Sequence, residues 1–248
     1  MNITTRGIVF NKIKYGESSL VVKIFTEEVG LQSYLVRGVN SKKARLKLSL
    51  FQPLSLLELV VYHKSSHGLR HIKEARMDYP WQHIPFSPEK QSILMFLNEV
   101  LYKTIRHETP DKELFQWIYH TLVWFDLEEK NFLNFHLFFL MQLTRFLGFS
   151  PKKEMSEMTR QPFFDLQEGH FVQHRPVHLN YLEKQQAALF FELMHTGLDG
   201  LKTFKINNKQ RRNLLDALLT FYLLHLPELG KIKSLEILRS MSGPIKPK

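Results

Sequence analysis

Cysteine is absent from all 248 residues. Its absence excludes disulfides, thiolate metal sites and a cysteine nucleophile, and fits a reducing compartment. Acidic residues are missing over a long internal stretch. None lies between Glu28 and Glu58, while Arg37, Lys42, Lys43, Arg45 and Lys47 fall within eleven residues. There is no glycine-rich phosphate loop of the GxxxxGK or GxGxxG type and no GxSxG elbow. The carboxylates are scattered, with no pair that stands out as an acid/base couple, so an enzyme is not expected. The start, MNITTRGIVF, has no charged leader followed by an apolar stretch, and no signal peptide is expected. The most apolar stretch, Phe132 to Phe149, contains Asn134, His136, Gln142 and Arg145. It suits a buried helix rather than a membrane span, and the expected location is cytoplasmic.

What is present is positive charge, unevenly placed. Lys and Arg number 34 against 24 Asp and Glu, a net of +10. Residues 1–80 hold 13 basic and six acidic side chains, a net of +7, and the rest carries +3. The N-terminal third therefore faces a polyanion, of which nucleic acid is the commonest. The alternative for the basic loop is a solvated surface.

Residues 1–80 read as five short strands separated by turns at Gly16, at Gly30 and at Ser65–Gly68. Alternation places Ile8, Phe10, Lys12 and Lys14 on one face, with Val9, Asn11, Ile13 and Tyr15 on the other. Leu54 to Tyr62 suits a strand buried on both sides. The expected fold is α+β and multidomain: a five-stranded OB-type β-barrel over 1–80, then an all-α helical bundle over 81–248. An SH3-like barrel is the alternative for the first part. Ser87 reads as a helix N-cap with Pro88 at the first helical position. Further helices are expected near 110–125, 131–147, 179–194, 207–226 and 234–241. Residues 151–178 lose the helical period and read as an irregular insert with one hairpin. The tail from 243 is expected to be disordered.

The cations of the basic loop, with Lys12 and Lys14, are the candidate phosphate contacts. Phe10, Phe25, Tyr34 and Tyr62 either stack on unpaired bases or pack in the core. In the last long helix Asn207 is the expected N-cap, and Lys209, Arg211 and Arg212 crowd the first turn. Cations there oppose the helix dipole. Either they are solvated, or together with the dipole they receive a phosphate or an acidic peptide. His170, His174 and His178 are spaced by four, yet Gly169 and Pro176 argue against a helix, and incidental histidines are the better reading.

The segments RGIVFNKIKYGESSLVVKIFTEEVGLQSYLVRGV, SKKARLK and LFQPLSLLELVVYHKSSHGLRHIKEA resemble, in order and spacing, the N-terminal half of the bacterial recombination mediators of the RecO family. The ending RRNLLDALLTFYLLHLPELGKIKSLEIL resembles that family's C-terminal helices. The resemblance implies a nucleoid-associated DNA repair factor with an OB fold and a helical domain. It implies binding to single- and double-stranded DNA, annealing of complementary strands, and action with RecR to load RecA onto DNA coated by single-stranded-DNA-binding protein. In relatives the acidic tail of that coating protein docks on the helical domain. Many relatives also carry a four-cysteine zinc site in the insert. Here Met155 to His178 occupies that region without cysteine, so no cofactor is expected, and packing around Phe163, Phe164, Leu166 and Phe171 is expected to hold it. Stoichiometric zinc in the purified protein would overturn that expectation. Two rival readings are an OB-fold RNA-binding factor and a nucleic-acid-processing enzyme with a dispersed site.

Overall fold

The computed structural model describes residues 2–39, 46–62, 69–106, 108–152 and 162–241. The chain divides into two compact units, residues 1–127 and 128–248. In the first, β1 (Asn2–Tyr15), β2 (Ser19–Thr26), β3 (Gly30–Val36), β4 (Leu56–Tyr62) and β5 (Arg70–Tyr79) close into a barrel in the order β1-β2-β3-β5-β4. Neighbours are antiparallel except β3 and β5, which run parallel. This is the OB arrangement expected above, rather than an SH3-like one. Val9, Val22, Ile24, Leu57, Leu59 and Val61 fill the interior. Each such side chain contributes about 1.5–3 kcal/mol when fully buried.

Strict alternation in β1 fails at one place. The register with β2 shifts between Val9 and Asn11, so Val9 pairs with Ile24 but Lys12 with Val22 and Lys14 with Leu20. A β-bulge adds one residue and flips every side chain beyond it. Lys12 and Lys14 therefore share the face of Val9, not that of Ile8. Phe10, at the bulge, is 1% exposed and stacks on Phe25 with ring centroids 5.7 Å apart. The backbone groups of Val9 that the bulge frees are taken up nearby. Its N–H donates to Ser55 O at 3.1 Å, and its carbonyl accepts from Leu54 N at 2.7 Å. Leu54 sits at φ 57°, a left-handed conformation costing about 1–2 kcal/mol, which its complete burial and this hydrogen bond hold in place. β4 is not buried on both sides as expected: Glu58 and Val60 are half-buried and Tyr62 is exposed, so the strand alternates like the others.

Two helices complete the first unit, α1 (Pro88–Thr104) and α2 (Lys112–Leu127). Ser87 caps α1, its side chain accepting from Lys90 N at 3.2 Å, with Pro88 at the first position as expected. α2 lies against the barrel through Phe115, whose ring is 5.7 Å from Phe25. The approach is close at Gly30. Its φ is +70°, and a Cβ there would lie 2.1 Å from Glu108 O, so only glycine fits. The two helices join the barrel in one compact unit, although the change from strands to helices comes at residue 80.

In the second unit α3 (Phe135–Phe146) is buried nearly all round and packs against α4 (Lys184–His195) and α5 (Asn208–His225). α3 ends at Gly148, whose φ of +81° lets Phe149 N reach back to Thr144 O at 3.1 Å. α6 (Leu235–Met241) follows α5. The insert forms a small sheet in the order β7-β6-β8, from β6 (Phe163–Asp165), β7 (His170–Val172) and β8 (Tyr181–Leu182). It is one strand more than the expected hairpin. Phe164, Leu166 and Phe171 are buried beneath it, as expected, while Phe163 is half-buried.

Candidate nucleic-acid interface

The barrel places its cations by what each one touches. Arg6 is not available to a ligand: Nε and Nη2 donate to the Glu27 carboxylate at 2.9 and 3.0 Å. The hydrogen bond from Arg6 holds the Glu27 carboxyl below its ordinary range, against the opposing effect of burial. The guanidinium also lies 4.8 Å from the Tyr119 ring centroid. Arg76 pairs with Glu58 at 2.7 Å. Lys14, Arg37 and Lys47 differ. All three are exposed, and their side chains make no hydrogen bond or ion pair among the described residues.

These three lie around one end of the barrel. Lys14 pairs with Leu20, and Leu20 with Val36, so Arg37 follows directly in the same part of the sheet. Val39 N donates to Ser18 O at 3.1 Å, fixing the start of the basic loop beside the β1–β2 turn. On the far side, Lys47 begins a 3-10 turn over Leu48–Phe51, and Phe51 is fully buried in the barrel core. Lys12 Nζ donates to Gln52 Oε1 at 2.9 Å, tying that turn to β1, and burial lowers the Lys12 pKa from its ordinary value. Both ends of the loop are thus anchored beside the same strands. Lys42, Lys43 and Arg45 lie outside the described residues.

Of the four aromatics that could stack or pack, Phe10, Phe25 and Tyr34 are buried and Tyr62 is 43% exposed. Tyr34 is fully buried, and burial pushes its hydroxyl up to about 12. Neither Tyr34 nor Phe10 presents a ring face to a base. The core alternative holds for both, because Tyr34 points into the barrel and the bulge turns Phe10 towards Phe25.

Residues 1–80 match the family model described as recombination protein O N terminal, and residues 85–236 the one described as recombination protein O C terminal. The chain is 37% identical over 237 residues to a protein of Phocaeicola vulgatus named DNA repair protein RecO, covering 96% of this chain and 98% of that one. Similar proteins of the same name occur in Bacteroides fragilis, 37% identical over 238 residues, and Flavobacterium psychrophilum, 36% identical over 243. They too are matched nearly end to end, at 96% and 97% of this chain and 98% and 99% of theirs. The chain belongs to the RecO family.

In this RecO-family chain the cations at the start of α5 differ in what they touch. Asn207 is its N-cap, in a reciprocal capping box with Gln210 at 2.9 Å each way. Lys209 and Arg212 are exposed, but Arg211 is 8% exposed and is not a surface docking cation. Its Nε donates to Asn134 Oδ1 at 2.7 Å and its Nη1 to Asn208 Oδ1 at 2.6 Å, while Asn134 Nδ2 donates to Phe204 O at 2.9 Å. Burial lowers its pKa. The helical period, which places a core-facing position at 211, carried this signal in the sequence. Arg211→Ala is expected to lower stability by about 2–3 kcal/mol, since it orphans the buried Asn134 oxygen, whereas Lys209→Ala stays within about 0.5 kcal/mol. Urea unfolding of the two variants checks this, and equal midpoints would place Arg211 on the surface.

The insert does not supply the four-cysteine zinc site that the resemblance implies for many relatives. There is no thiolate, and among the described residues no three His, Asp or Glu side chains gather to hold a metal. His178 Nε2 lies 3.0 Å from Asp165 Oδ2, while His174 is exposed and His170 Nδ1 lies 3.3 Å from the Glu168 carbonyl. Asp165 instead organises the turn after β6, its Oδ1 accepting from Gln167 N and Glu168 N at 2.8 and 3.1 Å.

Proposed function

We propose that this chain is a non-enzymatic recombination mediator acting in DNA repair, in the cytoplasm at the nucleoid. The barrel end bearing Lys12, Lys14, Arg37 and Lys47, with Lys42, Lys43 and Arg45 of the anchored loop, captures the phosphate backbone of single- and double-stranded DNA without reading sequence. Bound strands are annealed to their complements, and with RecR the protein helps to load RecA onto DNA coated by single-stranded-DNA-binding protein. The acidic tail of that coating protein docks on the second unit, where Lys209 and Arg212 are the exposed cations at the start of α5. The observation that carries this reading is that Lys14, Arg37 and Lys47, at one end of an OB barrel in a chain of the RecO family, are exposed and without acidic partners among the described residues.

The test is annealing of complementary oligonucleotides, one precoated with the cognate coating protein, across a salt series. Annealing that the chain accelerates, that weakens with salt and that requires the acidic tail supports the reading. Tight binding without annealing would reduce the chain to a binding module. A parallel strand of RNA separates a DNA mediator from an RNA-binding factor, because the latter would prefer the RNA.

A further inference from the structure

The β1–β2 hairpin carries an aromatic ring that the core does not use. Lys12 and Lys14 pair with Val22 and Leu20, whose side chains face the barrel interior, so Ile13 between them and Tyr15 after Lys14 take the outward face. Ile13 is 59% exposed and Tyr15 57%. Ile13, Val21 and Leu35 form one row across β1, β2 and β3, and Tyr15 opposite Ser19 begins the next row towards the turn. Further along that face, Lys23 Nζ sits 5.4 Å from the Tyr102 ring centroid, so α1 covers the sheet there. It does not cover the hairpin end. The Tyr15 ring has no aromatic neighbour and its hydroxyl no hydrogen bond among the described residues.

The surroundings decide what such a ring takes. Lys14 precedes it on the other face of β1, and Arg37 follows Val36, the residue that joins the row of Lys14 and Leu20. No acid occurs between Glu28 and Glu58, the stretch that holds Arg37, and Glu17 in the β1–β2 turn is the acid next in the chain to Tyr15. An exposed ring on an outward sheet face, beside cations that track a backbone, is the arrangement by which single-strand binders stack bases. A base in a duplex is already stacked and hides its faces, so the ring rewards unpaired strands while the cations serve both forms.

We infer that Tyr15 is a base-stacking platform that favours single-stranded over duplex DNA. The inference rests on the DNA-binding reading above and adds to it the residue that discriminates between the two ligands. The test is fluorescence anisotropy at one salt concentration with a labelled oligothymidylate and a labelled duplex, using the full chain, Tyr15→Ala and Tyr15→Phe. Tyr15→Ala is expected to weaken oligothymidylate binding about tenfold, the size of one lost stacking contact, and to leave duplex binding unchanged. Tyr15→Phe keeps the ring and should bind like the parent. Unchanged oligothymidylate binding by Tyr15→Ala would overturn the inference and leave the apolar strip to a protein partner. An equal loss on both ligands would also overturn it, by making Tyr15 a backbone contact. If the parent chain binds neither ligand, the DNA-binding reading itself fails, and the inference with it.

Discussion

Asp126→Ala is expected to destabilise the first unit by about 3–5 kcal/mol, the sum of several buried donors left without acceptors. The Asp126 side chain, at the end of α2, is fully buried. Its carboxylate accepts from Gln82 N at 2.7 Å, His83 N at 3.0 Å, Ile84 N at 2.8 Å and Tyr79 Oη at 3.1 Å. Its own carbonyl accepts from Lys90 Nζ at 2.7 Å, and Lys90 is 2% exposed. One residue thereby fixes the end of β5, the segment before α1 and the first turn of α1. Burial alone would raise the Asp126 pKa, but the hydrogen bonds from Gln82, Ile84, His83 and Tyr79 hold it below the ordinary value. The folded state therefore favours the charged form more than the unfolded chain does. That contribution is complete at neutral pH and is lost as pH falls through the depressed folded value. Urea unfolding at pH 7 and in the acid range is the check. The parent should lose stability below about pH 4, and Asp126→Ala should lose less of it there because it has no such proton to gain. A change below about 1 kcal/mol at pH 7 would mean that Asp126 is not the clamp.

Replacing Lys42, Lys43, Arg45 and Lys47 together with Ala is expected to remove most of the salt dependence of DNA binding. If the intact chain neutralises about five phosphates of a single strand, log K falls with log salt at a slope of roughly −3.5. Losing four of those contacts leaves a slope of roughly −0.7, with affinity near physiological salt reduced about a hundredfold. The fold should survive, because Lys47 is exposed and Val39, Phe51 and Gln52 anchor the described residues on either side of the loop. A slope unchanged in the quadruple variant would remove the loop from the DNA site.

Much of the fold was legible because its signals are local. Ser87 before Pro88 and Asn207 before Gln210 are capping chemistry written within four residues, and both helices start where these residues placed them. The barrel strands followed from β-rich runs between glycine turns. What was hidden depends on partners far apart in the chain. The bulge after Val9 leaves no mark in a stretch of alternating residues, yet it decides which face holds Lys12 and Tyr15. Lys90 and Asp126 resemble ordinary charged helix residues, and 36 positions separate them. β8 is two residues long, too short to show a period. At the candidate site the cations were found from the local charge imbalance, but charge cannot tell a paired side chain from an unpaired one. Arg211 falls on the core-facing period of α5, but the partner that accommodates its guanidinium there, Asn134, is 77 positions away. Phe10 and Tyr34 were read as stackers or core with equal ease, because aromatic residues serve both ends and only burial separates them.

The most direct measurement is equilibrium binding of the intact chain across a salt series to two strands of identical base sequence, one DNA and one with an uncharged peptide backbone. Capture of the phosphates by the barrel end predicts a steep fall for the DNA strand, with a slope of roughly −3.5, and little binding of the uncharged strand at any salt. Equal affinity for both strands, or a flat response to salt, would contradict an electrostatic DNA interface on this barrel.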